Sequence, residues 1–295
     1  MEWCAGRNAG SAYYPRPTAI RPAAVFDAHN PPLTATPCMC LILFAVQQHP
    51  EFPLALAANR DERYLRPTQP LAPWPEAPQV LAGRDLEAGG SWFGVTRSGR
   101  FAAVTNVREW PPQSGWPRSR GALVRDFLLG AMSAADYAAD CVRRDGQYAG
   151  FNLLLGDLHR CELWYCSNRG DDPLRQLRPG LYGLSNGALG DCWPKSASGS
   201  AALRAELLRG PTTDGLLALL GDRTVAADAE LPDTGVGIDM ERMLSPRFIA
   251  SPDYGTRAST ALLLDRHGNI ALCEQNFAAD GIASTRQHFD WRLDA

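Results

Sequence analysis

Six consecutive apolar residues, Leu41-Ile42-Leu43-Phe44-Ala45-Val46, follow directly on Met39-Cys40. Unbroken apolarity over that length marks a strand covered on both faces, so the fold must supply a layer on each side of it. Residues 53–58 return across the turn-like Gln47-Gln48-His49-Pro50, giving a first hairpin. Residues 92–97 and 101–107 flank Ser98-Gly99-Arg100, residues 151–155 and 161–166 flank Gly156-Asp157-Leu158-His159, and residues 260–264 and 270–277 flank Asp265-Arg266-His267-Gly268-Asn269. A further strand is predicted over 180–185, and helices over 120–129, from Ser133 onward, over 201–209 and over 213–220. Residues 65–80 are rich in proline and read as loop. Hairpins interrupted by helical pairs, without strict strand-helix alternation, exclude a doubly wound sheet and predict an α+β fold of layered antiparallel sheets with helices outside.

The chain of 295 residues carries a formal charge of −3, which gives no general attraction to nucleic acid or anionic lipid. No stretch reaches the roughly 20 apolar residues of a membrane span, and no basic segment with an apolar core opens the chain, so a cytoplasmic location without integral membrane contact is expected. The eight cysteines are read as reduced thiols. Cys161 and Cys166 bracket a strand with an offset that places them on opposite faces, and Cys38 and Cys40 lack partners at zinc spacing, so no metal site is expected. Residues 1–38 hold six prolines and no apolar periodicity. They are expected to be a disordered leader, or to lie upstream of a true start at Met39, with 39–295 forming one domain. A retained tail is the third reading, and it would leave Cys40 an ordinary internal residue.

If the chain begins at Cys40, one residue carries a thiol and an unblocked α-amine, a nucleophile and a base together. A thiol ordinarily titrates near about 8.5 and an α-amine near about 7.7–8.0, close enough for the amine to take the thiol proton around neutrality. An upstream peptide would turn that amine into an amide and remove the base.

Further along stand Asn59-Arg60-Asp61-Glu62, Pro67-Thr68, Gly89-Gly90-Ser91-Trp92-Phe93-Gly94, Thr105-Asn106, Ser119-Arg120-Gly121, Phe151-Asn152-Leu153-Leu154, Leu184-Ser185-Asn186, Trp193-Pro194-Lys195 and Tyr254-Gly255-Thr256-Arg257-Ala258-Ser259-Thr260. With Met39-Cys40-Leu41-Ile42 and in this order, the set resembles the NRDE family, also called the transport and Golgi organisation protein 2 family. The resemblance implies a four-layer αββα sandwich like that of N-terminal-nucleophile hydrolases such as choloylglycine hydrolases and penicillin V acylases. It also implies an association with haem trafficking and with acyl-coenzyme A metabolism.

The resemblance and the residue chemistry together nominate six side chains. Cys40 would attack an amide or thioester carbonyl, and Asn186, at the end of a strand, would donate to the oxyanion, with Asn106 as a second amide donor. Arg257 would hold the thiolate or a substrate anion, and Arg60 would do the same beside Cys40. Asp61 would orient the α-amine, although the related hydrolases place their aspartate three residues after the arginine. In a regular strand Asn59 and Asp61 face one side and Arg60 and Glu62 the other, so a bend is expected if both Arg60 and Asp61 are to reach Cys40. The function expected is a hydrolase or acyltransferase needing no cofactor and acting on a small acyl compound. The alternative is a non-catalytic carrier of haem or an acyl-lipid on the same fold.

Overall fold

The computed structural model describes residues 39–294, so the expectation for residues 1–38 lies outside the described residues. The strands are β1 (Met39–Val46), β2 (Leu54–Arg63), β3 (Thr68–Trp74), β4 (Ala77–Asp85), β5 (Phe93–Thr96), β6 (Arg100–Asn106), β7 (Phe151–Asp157), β8 (Glu162–Ser167), β9 (Leu174–Gln176), β10 (Gly180–Leu184), β11 (Tyr254–Leu264), β12 (Asn269–Phe277) and β13 (Ala283–Arg292). The helices are α1 (Gly121–Leu129), α2 (Ala134–Arg143), α3 (Pro194–Arg209), α4 (Thr213–Leu220) and α5 (Ile238–Leu244).

One antiparallel sheet has the order β10-β1-β2-β11-β12-β13 and the other β3-β4-β5-β6-β7-β8-β9. The two-residue period of a strand sends alternate side chains of β1 to opposite surfaces. Ile42, Phe44 and Val46 pack between the sheets with Leu56, Phe101 and Leu154. Leu41, Leu43 and Ala45 meet Leu203 and Leu207 of α3 and Leu216 and Leu220 of α4. On the far side, Leu123, Val124 and Phe127 of α1 and Ala138 and Cys141 of α2 cover the seven-stranded sheet. The result is the expected α+β sandwich of four layers, with the apolar run of β1 buried along its whole length.

Two expectations need correction. Residues 65–80 are not loop: they hold β3 and the first part of β4. Proline lacks the N–H that a central strand must donate, but β3 is the edge of its sheet, where Pro70 and Pro73 are tolerated, and its register with β4 shifts at both places. The N–H of Leu71, displaced from the ladder, donates instead to Glu274 Oε1 at 2.7 Å.

The third helix begins at Pro194, seven residues before the predicted start. Its first turns contain Ser196, Ser198, Gly199 and Ser200, poor helix formers that hide the periodicity. The glycine lets the helix approach closely, because a Cβ at Gly199 would stand 2.6 Å from Leu43 Cδ1 and force the buried leucine to shift. Close approach of α3 to β1 is what brings the helix start to the edge of the site. The strands β9 and β13 and the helix α5 were not foreseen; β13 is largely exposed and polar, so it lacks the apolar alternation that betrays the others.

Candidate functional site

Cys40 stands directly across the ladder from Arg60, and Met39 across from Asp61. Directly opposed residues share a face, so Cys40 and Arg60 both point into the space between the sheets, whereas Asp61 lies on the helix side. Both Cys40 and Arg60 line a hollow of ≈ 10 Å³ with Ile42, Trp92, Val104 and Thr260. That volume is about what one water requires. The thiol is therefore enclosed, at 7 % exposure, but not sealed in solid packing.

The backbone end of Cys40 is gripped from β10. Its N–H donates to Asn186 Oδ1 at 3.4 Å, and Ser185 Oγ donates to its carbonyl at 3.1 Å. Asn186 in turn donates through Nδ2 to the Asn106 carbonyl, 2.8 Å away on the other sheet. Thr105 Oγ1 donates to Ser185 O at 2.7 Å, and Arg108 N donates to Asn186 O at 2.8 Å, so the end of β10 is stitched to the end of β6. Asn152 completes the stitch, donating to Thr105 Oγ1 at 3.1 Å and to Gly187 O at 2.8 Å. The carboxamide expected to face an oxyanion with its nitrogen thus faces Cys40 with its oxygen. Asn106 enters through its main-chain carbonyl.

Arg60 is 5 % exposed and its guanidinium lies over the Trp92 indole, 4.3 Å from the ring centre. Its ionic partner is Glu62 on the same face of β2, at 3.6 Å. Arg257 is the extra residue of a bulge: β11 pairs Thr256 with Asp61 but Ala258 with Arg60. An added residue reverses the facing of a strand, so Thr256 turns to the helix side while Ala258 and Thr260 turn inward. Arg257 does not line the Cys40 hollow. Its Nη1 donates to the carbonyls of Arg63 and Arg66, both at 2.9 Å, and its side chain lines a second cavity of ≈ 140 Å³ with Arg60, Trp92 and Thr68.

On the helix side, Thr256 Oγ1 donates to Asp61 Oδ1 at 2.7 Å. Burial pushes the Asp61 carboxyl up to about 6, opposed by Lys195, by the Thr256 hydrogen bond and by Arg60. Lys195, the second residue of α3, is buried and donates through Nζ to Leu244 O at 3.2 Å. Burial pushes its ammonium down to about 8, while Asp61 and, more weakly, Cys40 draw it up. At neutral pH both charges of the Lys195–Asp61 pair are retained. The strand β2 runs regularly through Asn59-Arg60-Asp61-Glu62, so the bend needed to bring both Arg60 and Asp61 to Cys40 is absent there, and the irregularity sits in β11 instead. Asp61 stands opposite Met39, on the other surface of the sheet from the Cys40 side chain.

Of the nominated residues, Cys40, Arg60, Asn186 and the Asn106 carbonyl meet at one place, Asp61 stands behind them, and Arg257 stands one cavity away. Lys195 and Trp92 belong to the same cluster and were not nominated. The signal for Lys195 was available: a cation just after a proline that opens a helix opposes the positive end of the helix dipole, which calls for an anion nearby. Among the described residues no helix is long and apolar enough to cross a membrane.

Comparison with known proteins places these features in context. The family model described as "Transport and Golgi organisation 2" matches residues 39–279. The "Transport and Golgi organization protein 2 homolog" of Bos taurus is 35% identical over 257 residues, covering 81% of this chain and 93% of the relative. The human protein of the same name is 34% identical over 258 residues, again covering 81% and 93%. Among solved structures, penicillin V acylase from Agrobacterium tumefaciens aligns over 86% of each chain at 13% identity with a TM-score of 0.41.

Proposed function

The chain belongs to the transport and Golgi organisation 2 family, and from that premise we propose that Cys40 is an N-terminal nucleophile acting on an amide or thioester as a hydrolase or acyltransferase. The observation that supports this reading is the placement of Cys40 itself, its nitrogen on Asn186 Oδ1 and its side chain beside Arg60 at an inter-sheet hollow.

Removal of Met39 leaves an α-amine where the backbone amide stands. One N–H remains on Asn186 Oδ1, and Asp61, which stands opposite Met39 in the ladder, is assigned the role of orienting the amine. The amine nitrogen accepts the thiol proton, and the sulfur forms a bond to the substrate carbonyl carbon while the C=O electron pair moves onto oxygen. Arg60 lies on the same face as the thiol and compensates negative charge there. Collapse of the intermediate breaks the C–N or C–S bond, and the leaving nitrogen or sulfur takes the proton from the ammonium. Water, or an acceptor amine or thiol, then attacks the acyl-cysteine, releases the acyl product and returns a proton to the sulfur.

Intact mass of the protein from cells, followed by exposure to an amide or thioester acylating probe, tests this reading. A mature N-terminus at Cys40, an acyl adduct on Cys40 and loss of that adduct in Cys40→Ala are expected. A homogeneous product that retains residues 1–39 and takes no adduct overturns it. The non-catalytic carrier of haem or an acyl-lipid is the outcome in which cargo binds equally to wild type and Cys40→Ala and no adduct forms.

A further inference from the structure

The geometry points to the cavity between Arg60 and Arg257 as a binding site for an anionic group, a carboxylate or a phosphate, carried by the acyl compound that Cys40 attacks. This inference deepens the proposed function and rests on it for the identity of the reaction, but the anion site has its own observations.

The first is the state of Arg60. A guanidinium presents five N–H donors, and leaving them unmet away from water is costly. Arg60 is 5 % exposed, yet its side chain meets an indole face at 4.3 Å and a carboxylate at 3.6 Å, beyond hydrogen-bonding distance. That carboxylate, Glu62, is shared: it lies at 3.6 Å from Arg66 Nε as well, and its Oε1 accepts from Arg63 N at 2.9 Å. The Trp92 face holds the guanidinium in place without taking up its N–H donors, which leaves them available to an incoming acceptor.

The second is the arrangement of the cavity. At ≈ 140 Å³ it is far roomier than the hollow at the thiol, and it is lined by two guanidinium-bearing residues with Thr68, Asn276, Ser284 and Thr285. Burial depresses the Arg257 guanidinium, and the nearby Arg60 charge depresses it further, so two like charges face one space. An anion between them relieves that repulsion. The carboxylates that sense this charge include Glu62, Asp61 on the helix side, and the buried Glu274, whose own ionisation is opposed by burial and which is already bonded to Leu71 N at 2.7 Å and Asn276 Nδ2 at 3.1 Å.

The third is continuity. Arg60 and Trp92 line both the cavity and the Cys40 hollow, so a molecule anchored by its anion at Arg257 reaches toward the thiol past Arg60. An uncharged acyl compound leaves the guanidinium edge unmet; one bearing a carboxylate or phosphate satisfies it.

The test titrates acetate and inorganic phosphate, separately, into the full-length protein and into its Cys40→Ala variant by isothermal calorimetry. Saturable binding of one or both, unchanged in Cys40→Ala, is expected, and the stronger of the two identifies the substrate's anion. Arg257→Gln is expected to weaken binding by about tenfold or more, the usual weight of a charge-assisted hydrogen bond. Because Arg257 also clamps two carbonyls, Ser284→Glu serves as a second variant: this exposed position at the cavity places a negative charge there and is expected to abolish binding without disturbing the fold. Absence of saturable binding, or binding indifferent to both substitutions in folded protein, overturns the anion site. Binding that behaves as expected while no acyl adduct ever forms on Cys40 keeps the site and removes the reaction.

Discussion

The backbone nitrogen of Cys40 donates to Asn186 Oδ1 at 3.4 Å across a separation of 146 residues. Because Asn186 simultaneously donates to the Asn106 carbonyl at 2.8 Å, one carboxamide fixes the start of β1 against both sheets. Asn186→Ala leaves two buried main-chain groups without these partners, and urea denaturation should show a loss of about 1–3 kcal/mol. Asn186→Asp retains an acceptor for Cys40 and loses the donor to Asn106. Acylation of Cys40 should therefore be lost in the alanine variant and partly restored by aspartate, whereas a residue acting only as an oxyanion donor would not be rescued by a carboxylate.

Asp61 titrates at about 6 in the folded protein against an ordinary value of 3.8. Between those values the folded state holds a proton that the unfolded chain has released, so stability falls as pH rises from about 4 to about 6. Measured against Asp61→Asn, wild type should lose about 3 kcal/mol of unfolding free energy over that interval and run parallel to the variant above it. Parallel curves throughout would show that the carboxyl is not held up by burial.

Lys195 lowers the Asp61 titration through its charge, and burial pushes its own ammonium down to about 8. In Lys195→Met the Asp61 carboxyl should titrate above about 6, by carboxyl-carbon NMR of selectively labelled protein. An unmoved titration would mean that the two charges do not sense each other.

Gly83 faces the indole on which Arg60 rests: a Cβ there would stand 2.2 Å from Trp92 Cζ2. An indole cannot yield by rotating a flexible end, so Gly83→Ala should displace the whole ring, at a cost of about 1–3 kcal/mol. Tryptophan near-ultraviolet circular dichroism should change, and phosphate or acetate binding should weaken with it.

The hairpins were readable in the sequence because short apolar runs flank turn residues, and the chain order of the nominated residues followed from the motifs. What the sequence concealed has physical causes. Pro70 and Pro73 argue against a strand only when the strand is interior, and nothing local says that β3 is an edge. Gly199 of early α3 answers a close approach to Leu43, and Ser196 and Ser200 one to Gly183 of β10, so these residues follow packing and not helix propensity, and they masked the position of Lys195. The identity of Asn186 as an amide was legible, but which of its ends meets Cys40 depends on Asn106, 80 residues away. Arg60 and Asp61 were expected on opposite faces and are found there; that the intervening bulge belongs to β11 could come only from pairing.

That bulge sets Arg257 apart from the ladder it interrupts. Were it removed, Thr256 opposite Asp61 and Ala258 opposite Arg60 would become neighbours in a regular strand, and everything downstream in β11 would keep its partners and its side. The loss would fall on the guanidinium that clamps the Arg63 and Arg66 carbonyls and lines the second cavity. The extra residue therefore serves the cavity and not the sheet.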